Sequence, residues 1–197
     1  MLVSDTVLQK LIRDGVVLSV GGNYIGSVGG STSVVADEFS RPTDTTAYAA
    51  GDAVSATTSD TGTTALRALS NIGRVQGGTG YITKVRLWTD QVACVANIRV
   101  HLYNVDAPAT AVVGDNIQMT LKYTNFVQRI GMVDLPALKT STVATNSTAA
   151  EASDTTIRLA FALNAADRSI YYRLETLSIF TPADSQKFYL EIAAENN

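Results

Sequence analysis

A single histidine, His101, and a single cysteine, Cys94, set narrow limits on the chemistry available to this 197-residue chain. Any Ser-His-Asp or Cys-His nucleophilic device would have to use His101. It lies in Asn97–Tyr103, where Ile98, Val100 and Leu102 alternate with Asn97, Arg99 and His101. That alternation puts His101 on the polar face of a strand beside Arg99 and reads as a surface or interface histidine. Cys94, in the apolar run Val92-Ala93-Cys94-Val95, is expected to be a buried, inert thiol. One cysteine cannot close an intrachain disulfide, and histidine-rich zinc sites are excluded.

Carboxylates are the other source of chemistry. Asp37, Glu38, Asp44, Asp52, Asp60, Asp106, Asp115 and Asp134 fall in or near expected loops. Two meeting in space would suit glycoside hydrolysis, but no spacing nominates a pair. Oxygen ligands for calcium are plentiful, yet no EF-hand or RTX-type repeat is present. Trp88, Tyr103, Tyr123, Phe126, Tyr171 and Tyr172 offer faces for a sugar platform; strand aromatics more often pack a core or a subunit interface. The glycines of residues 21–30 have neither P-loop nor dinucleotide-binding spacing. Asn146-Ser147-Thr148 matches a glycosylation sequon, to which a chain without a signal peptide gives no meaning. No catalytic residue, metal or cofactor is nominated.

Composition points the same way. The charged fraction is 17%, the hydrophobic fraction 46%, and Thr, Ser, Ala, Gly and Asn fill the remainder, as in a β-protein with uncharged polar faces. Net charge is −3 and Lys and Arg are scattered singly, so nucleic acid is not an expected partner. No apolar run approaches the ~20 residues of a membrane-spanning helix. The first residues carry no signal-peptide pattern, so folding in a cytoplasm is expected.

Residues 4–14 read as a short helix with Val7, Leu8, Leu11 and Ile12 on one face, Ser4 as N-cap and Gly15 as its stop. At that length it should form only when docked. Together with the Gly-rich arm that contains Tyr24, it makes up an expected appendage over residues 1–32. A β-domain follows over 33–197. Strands are expected at Ser33–Phe39, Ala53–Ala56, Ala68–Val75, Tyr81–Thr89, Asn97–Tyr103, Val127–Val133, Ile157–Phe161, Ser169–Phe180 and around Phe188–Ile192. Ala68–Val75 and Tyr81–Thr89 read as a hairpin around Gln76-Gly77-Gly78-Thr79-Gly80. Lys139–Asp154, almost all Thr, Ser, Ala and Asn, reads as a long loop. Short alternating strands without intervening helices predict an all-β sandwich, with a jelly roll as the preferred version.

Between the first two strands lies Arg41-Pro42-Thr43-Asp44-Thr45-Thr46-Ala47-Tyr48-Ala49-Ala50-Gly51-Asp52. Pro42 stops regular pairing, and Asp44-Thr45-Thr46 supplies oxygens for Asx- and ST-type turns. This segment resembles a stretch of tailed-bacteriophage structural proteins. So do Gly80–Leu87, Arg99–Tyr103, Asp115-Asn116 and Thr181–Tyr189; the likeness spans residues ~40–193. The proteins in question are similar to head decoration, or cement, proteins. The resemblance implies a non-enzymatic virion subunit with a β-sandwich or jelly-roll fold, assembled in the host cytoplasm. It implies a trimer, bound to the major capsid protein on the outer capsid surface. Arg41, Asp44, Tyr48 and Asp52, with Val7, Leu8, Leu11, Ile12 and Tyr24, are then the candidate interaction residues. The other reading is a tail-fibre or baseplate β-module that binds host glycans through the aromatics.

Overall fold

The computed structural model describes residues 30–58, 66–106, 114–121, 126–140 and 149–197. The expected helix with Val7, Leu8, Leu11 and Ile12, the arm with Tyr24, Asp60, Tyr123 and the sequon lie outside the described residues.

Residues 31–197 are an all-β unit of two antiparallel sheets packed as a sandwich. The strands are β1 (Ser31–Ser40), β2 (Ala53–Val54), β3 (Arg67–Leu69), β4 (Thr79–Thr89), β5 (Ile98–Tyr103), β6 (Arg129–Asp134), β7 (Lys139–Thr140), β8 (Ala150–Asp154), β9 (Leu159–Ala162), β10 (Ile170–Thr176) and β11 (Lys187–Asn196). One sheet runs β1-β11-β4-β8-β7, with β9 also on β4; the other runs β2-β10-β5-β6, with β3 also on β10. Among the described residues, no helix is long and apolar enough to cross a membrane.

The core lies between the sheets. Ile82, Val85, Leu87, Phe188, Leu190 and Ile192 point in from one; Ile98, Val100, Leu102, Val133, Tyr172 and Leu174 point in from the other. In a strand, alternate side chains share a face, and one face of each sheet is apolar. β4 breaks this alternation in sequence, since Thr83 and Lys84 are adjacent and polar. The ladder absorbs the extra residue: Ala193 pairs with Lys84 and Ala194 with Ile82, leaving Thr83 as a bulge. Ile82 and Val85 therefore both face the core. The bulge also divides the far edge of β4, which pairs with β8 over Val85–Thr89 and with β9 over Thr79–Ile82.

Several expected elements are corrected. Ala68–Val75 is not one strand, because Asn71 adopts φ 61° and turns the chain after Leu69. Nor does it form a hairpin with the next strand: β3 pairs with β10, and β4 belongs to the opposite sheet. The strand from Ala53 stops at Val54. β10 ends at Thr176, whose hydroxyl donates to the Ser178 carbonyl at 2.6 Å and bends the chain away. β9 starts at Leu159, after an Asx turn in which Asp154 Oδ1 accepts from Thr156 N at 2.8 Å. β6 is displaced to Arg129–Asp134. The expected loop 139–154 contains β7 and β8, and Ala150 and Ala152 face the core there. Asp37, Glu38 and Asp134 stand in strands rather than loops.

Gly80 has a packing reason to lack a side chain. A Cβ at that position would lie 2.1 Å from the Glu195 carbonyl oxygen and 2.8 Å from Cζ of Phe161. Because backbone is one of the obstacles, the clash cannot be relieved by a rotamer change. Gly80→Ala is expected to lower stability by about 1–3 kcal/mol, read as a lower urea midpoint at an unchanged slope.

Candidate functional site

Arg41 leaves the end of β1, where its N–H donates to the Gln186 carbonyl at 2.9 Å. From there the chain must cross from the six-stranded sheet to β2 in the other sheet. Arg41–Asp52 is that crossing, and it is built inward around a buried ion pair. Arg41 Nη2 donates to Asp115 Oδ2 at 2.6 Å, with both side chains almost wholly buried. Arg41 Nη1 donates to the carbonyls of Asp44 at 3.0 Å and Ala183 at 3.3 Å. Arg41 Nε donates to the Tyr48 hydroxyl, which donates in turn to Asp115 Oδ1 at 2.6 Å. Asp115 Oδ1 also accepts from Ser55 N at 2.8 Å. The guanidinium fork is thus satisfied along its whole edge.

The ring of Tyr48 is held as firmly as its hydroxyl. It stacks on Phe180 with centroids 4.7 Å apart, and Tyr48 N donates to the Phe180 carbonyl at 2.9 Å. The Arg41 guanidinium lies 4.7 Å from the same ring centre. Burial lowers the proton affinity of Arg41, but the bond and charge of Asp115 and the bond to Tyr48 outweigh it, and its pKa is raised. Burial, then the neighbouring Asp115 charge, push the Tyr48 phenol far above its ordinary range. Neither group exchanges a proton near neutral pH.

Asp44 and Asp52 shape the path. Asp44 Oδ1 accepts from Thr46 N at 2.8 Å and Thr46 Oγ1 at 2.7 Å, and these bonds lower its pKa. Asp52 Oδ2 accepts from Ala49 N at 2.6 Å, closing the turn where Gly51 takes φ 95°. Gly51 N then donates to the Thr176 carbonyl at 2.7 Å, which docks the turn on β10. Arg41, Tyr48 and Asp52 are buried, while Thr43, Thr45, Thr46, Ala47, Ala49 and Ala50 face outward. Sequence reasoning singled out the segment but not Asp115 as its counter-charge. The two lie 74 residues apart, and nothing local marks the pairing.

His101 requires a correction. Alternation placed it on the outward face correctly, but it is only 1% exposed. Its Nε2 lies 2.8 Å from Glu175 Oε2. Burial depresses its pKa, against the opposing pull of Glu175, with Arg129 and Arg99 adding to the depression. Asp134 holds Arg99 on the same face, Nη2 to Oδ2 at 2.8 Å. Cys94 is buried as expected, and burial pushes its thiol pKa up, away from the thiolate a nucleophile needs. No group of three His, Cys, Asp or Glu among the described residues is arranged to hold a metal ion.

The aromatics do not assemble into one platform. Tyr103 and Tyr172 are buried, whereas Phe126 is exposed. Trp88, on the outward face of the six-stranded sheet, is already stacked on Tyr189 at 5.0 Å with the Arg86 guanidinium 4.7 Å from its ring centre.

Arg41→Met leaves Asp115 buried without its counter-charge and should cost about 3–5 kcal/mol by urea denaturation. Tyr48→Phe, which keeps the stack, should cost about 1–3 kcal/mol. The double variant Arg41→Met/Asp115→Leu should recover part of the Arg41→Met loss, whereas Asp44→Ala should shift the midpoint far less. For His101 the folded pKa lies below the unfolded 6.5, so the unfolded chain binds the extra proton on acidification. Stability should be level above pH ~6.5 and fall as the pH drops below it, before the carboxylates titrate. His101→Gln should flatten the urea midpoint between pH 7.5 and 5.5.

No family model and no curated protein matches this chain. Solved structures resemble it, among them two phage capsids. One is the acidic stable capsid structure of Helicobacter pylori bacteriophage KHP30, 12% identical over 85% of this chain and 90% of that one, with a TM-score of 0.30. The other is the cyanophage Pam1 capsid asymmetric unit, 14% identical over 86% of this chain and 88% of that one, with a TM-score of 0.32. Likeness of this degree assigns no role.

Proposed function

We propose that this chain is a non-enzymatic structural component of a phage virion, a decoration or cement subunit that binds and stabilises the outer capsid surface. The observation that carries the reading is the construction of Arg41–Asp52, the segment whose sequence resembles phage structural proteins. Arg41, Tyr48 and Asp52 turn inward and are consumed in fixing the chain, while the Asp44 carboxylate stays at the surface, tied to Thr46. Apart from Asp44, the segment's outer surface carries small, uncharged Thr and Ala side chains. Next to it, Ile179 is 76% exposed beside the Tyr48 partner Phe180. Val95, also exposed, lies two residues before Asn97, whose N–H donates to Ser178 Oγ at 3.0 Å. A preformed, low-charge surface with exposed aliphatic side chains suits a permanent protein contact. The contact is assigned to this end of the sandwich and the reach to a neighbouring subunit to residues 1–32, with the major capsid protein and two further copies of this chain as partners.

A jelly roll is the fold this reading favours, and the strand order supports it. Along the chain, β1 lies in the six-stranded sheet, β2 and β3 in the other, β4 in the first, β5 and β6 in the second. Strands β7 to β9 return to the first sheet, β10 to the second and β11 to the first. The orders β1-β11-β4-β8 and β2-β10-β5-β6 are those of two Greek keys wrapped into a double sheet. The glycan-binding reading draws less support, since Trp88 is engaged within its own sheet.

Electron microscopy of particles assembled with and without the chain tests the proposal. Extra density on the capsid surface and greater heat resistance are expected when the chain is present. Unchanged surface density together with unchanged heat resistance overturns it.

A further inference from the structure

The outward face of the five-stranded sheet carries a second polar cluster, separate from the Arg41 hub. His101 and Tyr103 rise from β5, with Arg173 directly across from His101 and Tyr171 across from Tyr103 on β10. Directly opposed and diagonal side chains on one face of an antiparallel pair lie within reach of each other. His101, Tyr103 and Arg173 are 1%, 0% and 7% exposed. Tyr103 packs with Leu66 and Tyr171 as a small apolar cluster on this outer side.

The charges on this face are only partly paired, and Asp167, whose Oδ2 accepts from the Tyr171 hydroxyl at 2.5 Å, lies at its Tyr171 end. Asp134 holds Arg99, and Glu175 holds His101 at 2.8 Å and reaches Arg99 at 3.5 Å. The half-buried Arg129 lies against the Phe126 ring, 4.9 Å from its centre. Arg173 has no ion pair among the described residues, and its Nη1 is buried without a hydrogen-bond acceptor. The Tyr103 hydroxyl and His101 Nδ1 are likewise buried without partners. Burial lowers the Arg173 pKa to about 10, with the nearby Tyr103 acting against it. A buried charge normally has a counter-charge, and buried donors normally have acceptors.

We propose that Arg173 and the Tyr103 hydroxyl bind a monoanionic carboxylate on the outward face of the five-stranded sheet. A carboxylate is planar and matches the guanidinium fork, with its second oxygen available to the phenol. One charge suffices to neutralise the one buried, uncompensated cation. A phosphate dianion would overcompensate it and meet the repulsion of Glu175 and Asp134. The carboxylate belongs either to a free small acid or to an Asp or Glu side chain of a partner protein.

Thermal unfolding of the full chain at pH 7.5 tests this. Sodium acetate, sodium phosphate and a short blocked peptide with one Glu are each compared with sodium chloride at equal ionic strength. Acetate, the peptide or both should raise the midpoint in a saturable way; acetate alone indicates a free acid, and a response to the peptide indicates a protein side chain. Arg173→Gln should abolish the rise, and Tyr103→Phe should weaken the apparent affinity about three- to tenfold, as loss of one hydrogen bond does. The proposal is overturned if neither probe differs from chloride, if Arg173→Gln responds as the parent does, or if phosphate stabilises more than both. Should Arg173→Gln fail to fold, the parent protein and Tyr103→Phe decide the matter by the same comparisons.

Discussion

The buried pair between Arg41 and Asp115 is the constraint on which one end of this sandwich depends. Taking both charges out of water is costly, and their attraction compensates only when the remaining donors and acceptors are also satisfied. The surroundings meet that condition. The fork of Arg41 reaches Asp115, Tyr48 and the carbonyls of Asp44 and Ala183, while Asp115 also accepts from Ser55 N. One guanidinium thereby ties the exit of β1, the turn at Asp115 and the approach to β11, and through Asp115 the end of β2. Lysine could not replace it, since an ammonium presents no planar fork to these separated acceptors.

The two outward faces treat charge differently. On the six-stranded sheet, Lys84 meets Glu191 at 2.7 Å and Lys187 meets Glu38 at 3.0 Å, in partly exposed settings. Such pairs contribute little to stability, and water readily replaces either partner. On the five-stranded sheet, His101 and Arg173 are withdrawn from water, where an unmatched charge cannot be ignored. The first face is a solvated surface, and the second behaves electrostatically like an interior only around His101 and Arg173, since Asp134 beside them is exposed.

Much of the fold was legible because its signal is local. Val100 and Leu102 announce β5 by alternation, and Phe188, Leu190 and Ile192 announce β11. Elements were missed where the deciding fact is elsewhere. Ala150 and Ala152 carry too little apolar surface to mark β8, which exists because β4 supplies a ladder for it. The run from Ala68 looked continuous, but Asn71 turns it, and asparagine tolerates that backbone better than most residues. His101 was placed on the correct face with the wrong exposure, because alternation reports direction and not what covers a side chain. At the candidate site, Pro42, Asp44 and Gly51 disclosed the turns, whereas the partnership of Tyr48 with Asp115 spans 67 residues and left no local trace.

That division bears on what the Arg41–Asp52 segment can do. A loop that performs chemistry needs a group whose protonation or position can change. Here Tyr48 is held by two hydrogen bonds and a ring stack, and Arg41 is held along its whole fork. Each added bond raises the cost of moving either group, since a displaced buried donor regains no water. The segment's freedom is therefore spent before any partner arrives. A surface fixed in advance loses little conformational entropy on binding, so in the proposed role weak contacts by Thr, Ala and Ile179 would suffice where the partner is also rigid. The inward chemistry and the bland outer surface are two consequences of the same design, in which the charged residues set the shape and the uncharged ones present it.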